Sequence, residues 1–318
     1  MEIRRHRLTL DASSPFGTPP GSGTLFGHLC WAKRWRDGAE ALRAWLRRLP
    51  HEPFLISDLL PADHLPKPLL ALAPTESAAA SDAKALKRRR YVSLEAWRTL
   101  RSAVSAEALA QALRSAKGDP PLFASARSPH NRIDRRSGKT PEAGGGGLWF
   151  ADELWPTQRG DHAGPIAADL YVQTTLPARE VEALLADIGA WGFGRDASLG
   201  RGRFRVEGSE PAGWLADAPT GAGTLRMLSL SQGVISQNMR EARWQRFVLF
   251  GKVGRPMMAA GRRPWKLPVV LAEAGATFLP DGAGPFGAWL TGLHQDDDPT
   301  DPIGHNAFHL AIPYTEAA

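Results

Sequence analysis

WGFGRDASLGRGRFRVEG, residues 191–208, is the stretch on which the reading of this chain turns. Its centre, Gly192–Phe204, follows G-x-G-x-x-A-S-x-G-x-G-x-F, with Gly192, Gly194, Ser198, Gly200 and Gly202 interleaved with Arg195, Arg201 and Arg203. Upstream, residues 169–176 (DLYVQTTL) read as a strand, and Pro177 is well placed to open a helix. Val181, Leu184, Leu185 and Ile188 recur at helical spacing, and Gly189 suits a C-cap. Downstream, RFRVEG reads as a strand. The order is strand, helix, glycine loop, strand. A dinucleotide fingerprint at Gly192, Gly194 and Ala197 needs the reverse, a strand before and a helix after, so that reading is rejected. Glycine permits positive φ and leaves backbone N–H groups bare, and guanidiniums grip phosphate. The combination describes a phosphate cradle that does not read sequence. A tight connection that needs glycine for sterics alone is the other reading of the same pattern.

On the N-terminal side, residues 3–10 (IRRHRLTL) have strand spacing and run into the turn-rich DASSPFGTPPGSG. A helix starts near Thr24, with Leu25, Phe26, Leu29 and Cys30 on one face and Lys33 and Arg34 towards its negative end. Its start, Gly21–Thr24, could attract phosphate, or Thr24 could serve as an N-cap. Leu42, Trp45, Leu46 and Leu49 predict a second helix. Residues 74–90 read as a mobile or insertion-like segment, with five cations between Lys84 and Arg90. Residues 126–147 read as a long loop carrying Arg127, Arg132, Arg135, Arg136 and Lys139. In it Asn131 offers hydrogen bonds to base edges and His130 a stacking ring; a solvated loop is the bland alternative. Asp134 fits a local salt bridge to Arg132 or Arg135. LWFADELW, which follows, reads as a strand.

Beyond the glycine loop, the Pro/Gly/Ala stretch 208–224 reads as a linker. It divides the chain into residues 1–208 and a smaller α+β domain, 209–318. Strands are predicted over 225–231, 246–251, 268–271 and 307–313, with Phe286, Leu290 and Leu293 on a short helix and Asp296–Asp298 in a solvated loop. Trp35, Trp244, Trp265 and Trp289 suit either interfaces or core.

The bulk numbers agree with two domains: 318 residues, 43% hydrophobic, net charge +6. Arginine supplies 31 of the 39 cations, which suits nucleic acid and equally suits a GC-rich genome. The single cysteine, Cys30, excludes an intrachain disulfide and a cysteine-based zinc site, and its apolar neighbours make it a core thiol. His305 and His309 share a strand face without a third ligand, so neither metal nor cofactor is assigned. MEIRRHRLTL lacks the apolar core of a signal peptide, and no stretch approaches the ~20 apolar residues of a membrane span. A cytoplasmic protein without membrane contact is expected.

The glycine loop resembles the signature of the repeat-associated mysterious proteins (RAMPs) of CRISPR systems. SPFGT (14–18), TLFGHLCWA (24–32), PFLISD (53–58), LPKP (65–68), HNRIDR (130–135) and the strand at 307–313 resemble the crRNA 5′-handle-binding subunit of type III-A (Csm) complexes. The matches span nearly the whole chain. The glycine loop alone specifies the superfamily; the N-terminal block and HNRID narrow it to this subunit. The resemblance implies an α+β chain of two ferredoxin-like (RRM-type) domains with long loop insertions, each β-α-β-β-α-β with helices on one side. It implies a non-catalytic subunit that binds crRNA and docks a large polymerase-type subunit and backbone RAMP subunits. RNA contact then falls to Gly192, Gly194, Arg195, Ser198, Gly200, Arg201, Gly202 and Arg203, to His130, Asn131, Arg132, Arg135, Arg136 and Lys139, and to Thr24. Two alternatives stay open. One is a metal-independent endoribonuclease that processes pre-crRNA through His28, although that histidine sits among Leu25, Phe26, Leu29 and Trp31. The other is the equivalent subunit of a Cmr-like complex.

Overall fold

The computed structural model describes residues 1–70, 80–116, 119–140, 147–157, 165–295, 297 and 303–317. The first sheet grows from β1 (Ile3–Leu10). α1 (Ser22–Asp37) and α2 (Ala39–Arg48) follow, then the short strands β2 (Leu55–Ile56), β3 (Leu60–Pro61) and β4 (His64–Pro66). α3 (Ala80–Arg88), β5 (Tyr91–Ser93), α4 (Leu94–Leu100) and α5 (Ala106–Ser115) lead to a long antiparallel ribbon, β6 (Phe123–Asn131) with β7 (Leu148–Pro156). β8 (Ile166–Gln173), α6 (Ala178–Trp191) and β9 (Phe204–Pro211) complete the unit. The sheet order is β2-β8-β1-β9, all antiparallel, with β3 also on β8. With α1 after the first strand and α6 before the last, this is the ferredoxin-like β-α-β-β-α-β arrangement.

The physical cause is visible in the packing. Leu25, Phe26 and Leu29 of α1 and Val181, Leu184, Leu185 and Ile188 of α6 share one core with Leu8, Leu10, Leu170 and Val172 of the strands. Each such side chain contributes about 1.5–3 kcal/mol by leaving water. The residues at the alternate strand positions, Ile3 and Tyr171, enter a second core with Trp97, Leu109 and Leu113 of the inserted helices. That core also takes Leu228, Leu230, Ile312 and Tyr314 from the C-terminal part of the chain.

The remaining elements are β10 (Thr224–Ser229), β11 (Met239–Arg243), β12 (Arg246–Leu249), α7 (Arg255–Ala259), β13 (Val269–Ala272), β14 (Thr277–Pro280), β15 (Phe286–Leu290), β16 (His305–His309) and β17 (Ala311–Glu316). The second sheet runs β11-β14-β10-β17. Numbering its strands one to four in chain order gives 2-3-1-4, the order of the first sheet as well. Where the first sheet has α6, the second has the hairpin β15–β16. Each sheet also carries an inserted ribbon between its second and third strands: β6–β7 in the first, β12–β13 in the second.

Several sequence expectations are corrected. Residues 126–147 are in part a strand rather than a loop: 123–131 pair residue for residue with 148–156, while 141–146 lie outside the described residues. The alternation of polar and apolar residues in FASARSPHN is weak because both faces of the ribbon are largely exposed, so no amphipathic signal marks it. Residues 80–88 of the cation-rich 74–90 segment are helical, and Arg89 pairs with Asp119 at 2.7 Å; 74–79 lie outside the described residues. Phe286–Leu290 is a strand rather than a helix, because it pairs with β16 along its length. Residues 307–313 are two strands that part at Leu310 and serve different sheets. α6 runs past Gly189 and ends at Gly192, φ +94°; a Cβ at Gly189 would collide with the Phe204 backbone, so that glycine serves close packing. Asp296 and Asp298 lie outside the described residues.

Candidate nucleic-acid interface

The glycine loop and the β6–β7 ribbon, more than 30 positions apart in sequence, are joined in the fold. Phe16 forms a bridge with Leu154 of β7, its N–H donating to the Leu154 carbonyl at 2.8 Å and its carbonyl accepting at 2.9 Å. Its ring packs on Phe123 of β6 at 5.1 Å and on Phe193 of the loop at 5.9 Å. Arg195 donates from Nη2 to the Asp152 carbonyl at 2.6 Å. Arg201 meets the buried Glu153 carboxylate at 2.5 Å. Burial opposes charge on Glu153, yet hydrogen bonds from Ser128 and Trp155 and the Arg201 guanidinium hold its carboxyl below the usual range. The ribbon is thereby rooted in the loop by charge and by ring packing.

The loop amides are not bare. Gly192 N–H donates to Ile188, Phe193 N–H to Gly202 and Gly202 N–H to Pro15, each at a carbonyl. Arg195 N–H donates to Thr18 Oγ1 at 3.0 Å and Arg203 N–H to Ser14 Oγ at 2.9 Å. Gly194 N–H donates to His28 Nε2 at 3.0 Å. The cradle expected from backbone amides is corrected accordingly: these donors close the turn on the 14–18 segment. Gly192 and Gly202, at φ +94° and +70°, lie where a Cβ would overlap Arg201 and Phe193 backbone atoms, so steric need explains them. The arginines differ in availability. Arg201 is only 12% exposed and lies in its ion pair, whereas Arg195 is 46% exposed. Arg203 is exposed and donates to the Ala190 carbonyl at the end of α6 at 2.8 Å. Ser198 and Leu199 form the exposed tip, with Gly200 behind them at φ +89°.

His28 is engaged in holding this turn. Its ring lies 4.6 Å from Phe193, and burial lowers its pKa to about 4, so it is neutral at pH 7. That is the core-packing role rather than a solvent-facing acid or base.

Thr24 is corrected as a cap. α1 is capped by Gly21, with no side-chain cap bond, and Ser22 N–H donates to Asp58 Oδ1 at 2.8 Å. The positive end of the helix is filled by the chain's own carboxylate. Burial raises that carboxyl to about 6.

The ribbon extends roughly 30 Å by the rise of nine paired residues. Near its free end His130 stacks on Trp149, ring centroids 5.6 Å apart and planes at 14°. Arg127 lies 5.3 Å from the Phe150 ring centre. Arg132, Arg135, Arg136 and Lys139 are exposed around the turn. Asn131 is fixed across the tip by paired hydrogen bonds with Thr140, at 2.8 and 3.0 Å. Asp134 accepts the Arg136 N–H at 2.8 Å, so it shapes the turn rather than neutralising Arg132 or Arg135. Trp149 and Phe150 were not singled out in the sequence; pairing with HNRID is what brings them to one tip. Among the described residues no group of three His, Cys, Asp or Glu is placed to hold a metal. No described helix is long and apolar enough to cross a membrane.

No family model matches the sequence, and no curated protein does. Solved structures do. A chain of the crystal structure of the Csm1-Csm4 cassette in complex with pppApA superposes at TM-score 0.57 with 17% identity, over 99% of both chains. The cassette in complex with cA4 gives 0.58 at 16% identity, again over 99% of both. The Csm3-Csm4 subcomplex in the type III-A CRISPR-Cas interference complex gives 0.54 at 12%, over 99% of this chain and 100% of that one. Csm4 is the component common to these assemblies. The chain shares the fold of the chains matched in these structures. Mixed helix and antiparallel sheet in ferredoxin-like order meets the expectation for the first sheet, while the second keeps the strand order with a hairpin in place of its second helix and, among the described residues, no helix between β10 and β11.

Proposed function

We propose that this chain is the Csm4-like subunit of a type III CRISPR RNA–protein complex of the III-A (Csm) kind. It holds the 5′ repeat-derived handle of crRNA and docks a large polymerase-type subunit on one side and a backbone RAMP subunit on the other. The observation that carries this reading is the end-to-end likeness, 99% of each chain, to structures that pair Csm4 with Csm1, with a similar match to one that pairs it with Csm3. The local geometry supports RNA as the ligand. The ribbon tip offers two aromatic faces already paired with His130 and Arg127, and four exposed cations around them. Bases stack on such rings and phosphates pair with such cations irrespective of sequence. Arg195, Arg203 and the Ser198 tip extend the contact to the foot of the ribbon, while Gly192, Gly194, Gly200, Gly202 and Arg201 set its shape. No chemistry on RNA is assigned to this subunit, because His28 is committed to Gly194.

The test is reconstitution with large and backbone subunits of a type III-A complex, and titration with a handle-containing crRNA. Stable assembly is expected, with RNA affinity lost progressively as the tip cations and Arg195 and Arg203 are changed to alanine. Undiminished handle binding at low salt in that variant refutes the RNA contact. Site-specific cutting of repeat RNA in EDTA, abolished by His28→Ala, refutes the non-catalytic role.

A further inference from the structure

The β12–β13 ribbon belongs to no contact described so far. Its strands pair over Arg246–Leu249 and Val269–Ala272, with Val248 opposite Val270. Side chains of β12 and its continuation alternate: Phe247, Leu249 and Val253 turn inward, and Arg246, Val248, Phe250 and Lys252 face solvent. On the returning strand Trp265, Leu267 and Val270 are 54%, 42% and 50% exposed, and Phe250 is 65% exposed. Of the sixteen exposed large apolar side chains among the described residues, five (Val248, Phe250, Trp265, Leu267 and Val270) lie on this ribbon and the segments that continue it. Scattered single exposures need no explanation, but a concentration of this kind on one ribbon marks an interaction surface.

We propose that this ribbon face docks a protein subunit that presents an apolar patch rimmed by carboxylates; the inference rests on the subunit role proposed above. Three observations choose that occupant. The centre of the face is aliphatic, Val248 and Val270 side by side with Leu267 near, and branched aliphatics offer no plane on which a base can stack. Lys252 lies 4.1 Å from the Trp265 ring centre, which sets a cation, the complement of a carboxylate, at the margin of the apolar face. The flanks are basic: Arg246 and Lys252 face solvent on either side of Val248 and Phe250, while Arg240 and Arg243 are paired with Asp281 and Glu316. A second copy of this chain, paired face to face about a two-fold axis, sets Arg246 and Lys252 against the same cations, whereas an acidic rim complements them.

The test uses the full-length chain with the large and backbone subunits, each pairing measured as a Kd, beside handle-RNA affinity and thermal unfolding. Phe250→Asp with Val270→Asp is expected to weaken one of the two protein pairings by at least about 30-fold, the scale of a buried anchor. Unfolding temperature and RNA affinity should stay unchanged. Arg246→Glu with Lys252→Glu, which leaves the apolar face intact, should weaken the same pairing about fivefold, mainly through slower association at low salt. Protein pairings within twofold of the unsubstituted chain in both variants overturn the proposal. So does a selective loss of RNA affinity, which assigns the face to nucleic acid, or a dimer of the chain that Phe250→Asp dissolves. If the unsubstituted chain binds neither subunit, the subunit role itself falls and the inference with it; intact pairing by unsubstituted and variant chains alike removes the ribbon assignment alone.

Discussion

The two inserted ribbons occupy the same place in sheets of the same strand order, yet carry opposite surfaces. β6–β7 ends in a histidine stacked on an indole, an arginine over a phenyl ring and a turn of exposed cations. β12–β13 shows an aliphatic pair, Val248 and Val270, with exposed Phe250 beyond it. Their roots differ too. The first is tied to the glycine loop by Arg201–Glu153 and Arg195–Asp152. The second is tied down by backbone bonds and by Lys266, whose Nζ donates to the Gly304 carbonyl at 3.0 Å. The lesson is that one topological slot supplies a projecting arm twice, and side-chain chemistry alone gives the two arms opposite surfaces.

The sharpest way to break this contrast is at the root of the first ribbon. Glu153→Gln leaves the Arg201 guanidinium, 12% exposed, with only the more distant Asp196 carboxylate at 3.8 Å; a loss of up to about 3 kcal/mol is expected, read by denaturant unfolding. RNA affinity should fall with it, because the arm is no longer set against the loop. Next in size is the arm itself. Changing Arg132, Arg135, Arg136 and Lys139 to alanine removes four cations, and the slope of log affinity against log salt should fall by about 3 for single-stranded RNA. The matching loss at β12–β13, Arg246→Ala with Lys252→Ala, should leave that slope nearly unchanged; an equal drop there erases the distinction. Smaller again is Trp149→Ala, expected to cost about 1–3 kcal/mol of RNA binding if a base stacks beside His130, with folding stability intact.

One effect is common to both halves. His6, His28, His305 and His309 are held to about 4 by burial. Their unfolded value is near 6.5, so the unfolded chain binds more protons between the two values and stability falls as pH drops from 6.5 towards 4. Asp58, raised to about 6, runs the other way, gaining its proton first in the folded state. Melting temperature followed over that window should decline, and His309→Asn should flatten the decline. An unchanged slope in that variant shows that His309 titrates outside its buried site.

Part of this architecture could be read directly. Helical spacing at Val181, Leu184, Leu185 and Ile188 and the apolar face from Leu25 to Leu29 announced α6 and α1, because a helix buried on one side must repeat its apolar residues every three or four positions. β1, β10 and the strand after the glycine loop were legible for the same reason at period two. The ribbon β6–β7 was not. Its two faces meet solvent, so pairing with a distant strand, not amphipathicity, holds its shape. Phe286–Leu290 misled for a related reason: spacing of Phe286, Leu290 and Leu293 fits a helix, and the partner strand at 305–309 overrode it.

What the sequence determined by itself was the set of elements whose burial is one-sided, and the glycines and arginines that mark a turn between α6 and β9. What tertiary structure decided was which of those groups remain available. Backbone donors that looked free are taken by Thr18, Ser14, Pro15 and His28, and the phosphate-seeking end of α1 is taken by Asp58. Such partners lie tens to more than a hundred residues away along the chain. A hydrogen bond or an ion pair depends on distance in space, and only the closed fold sets that distance.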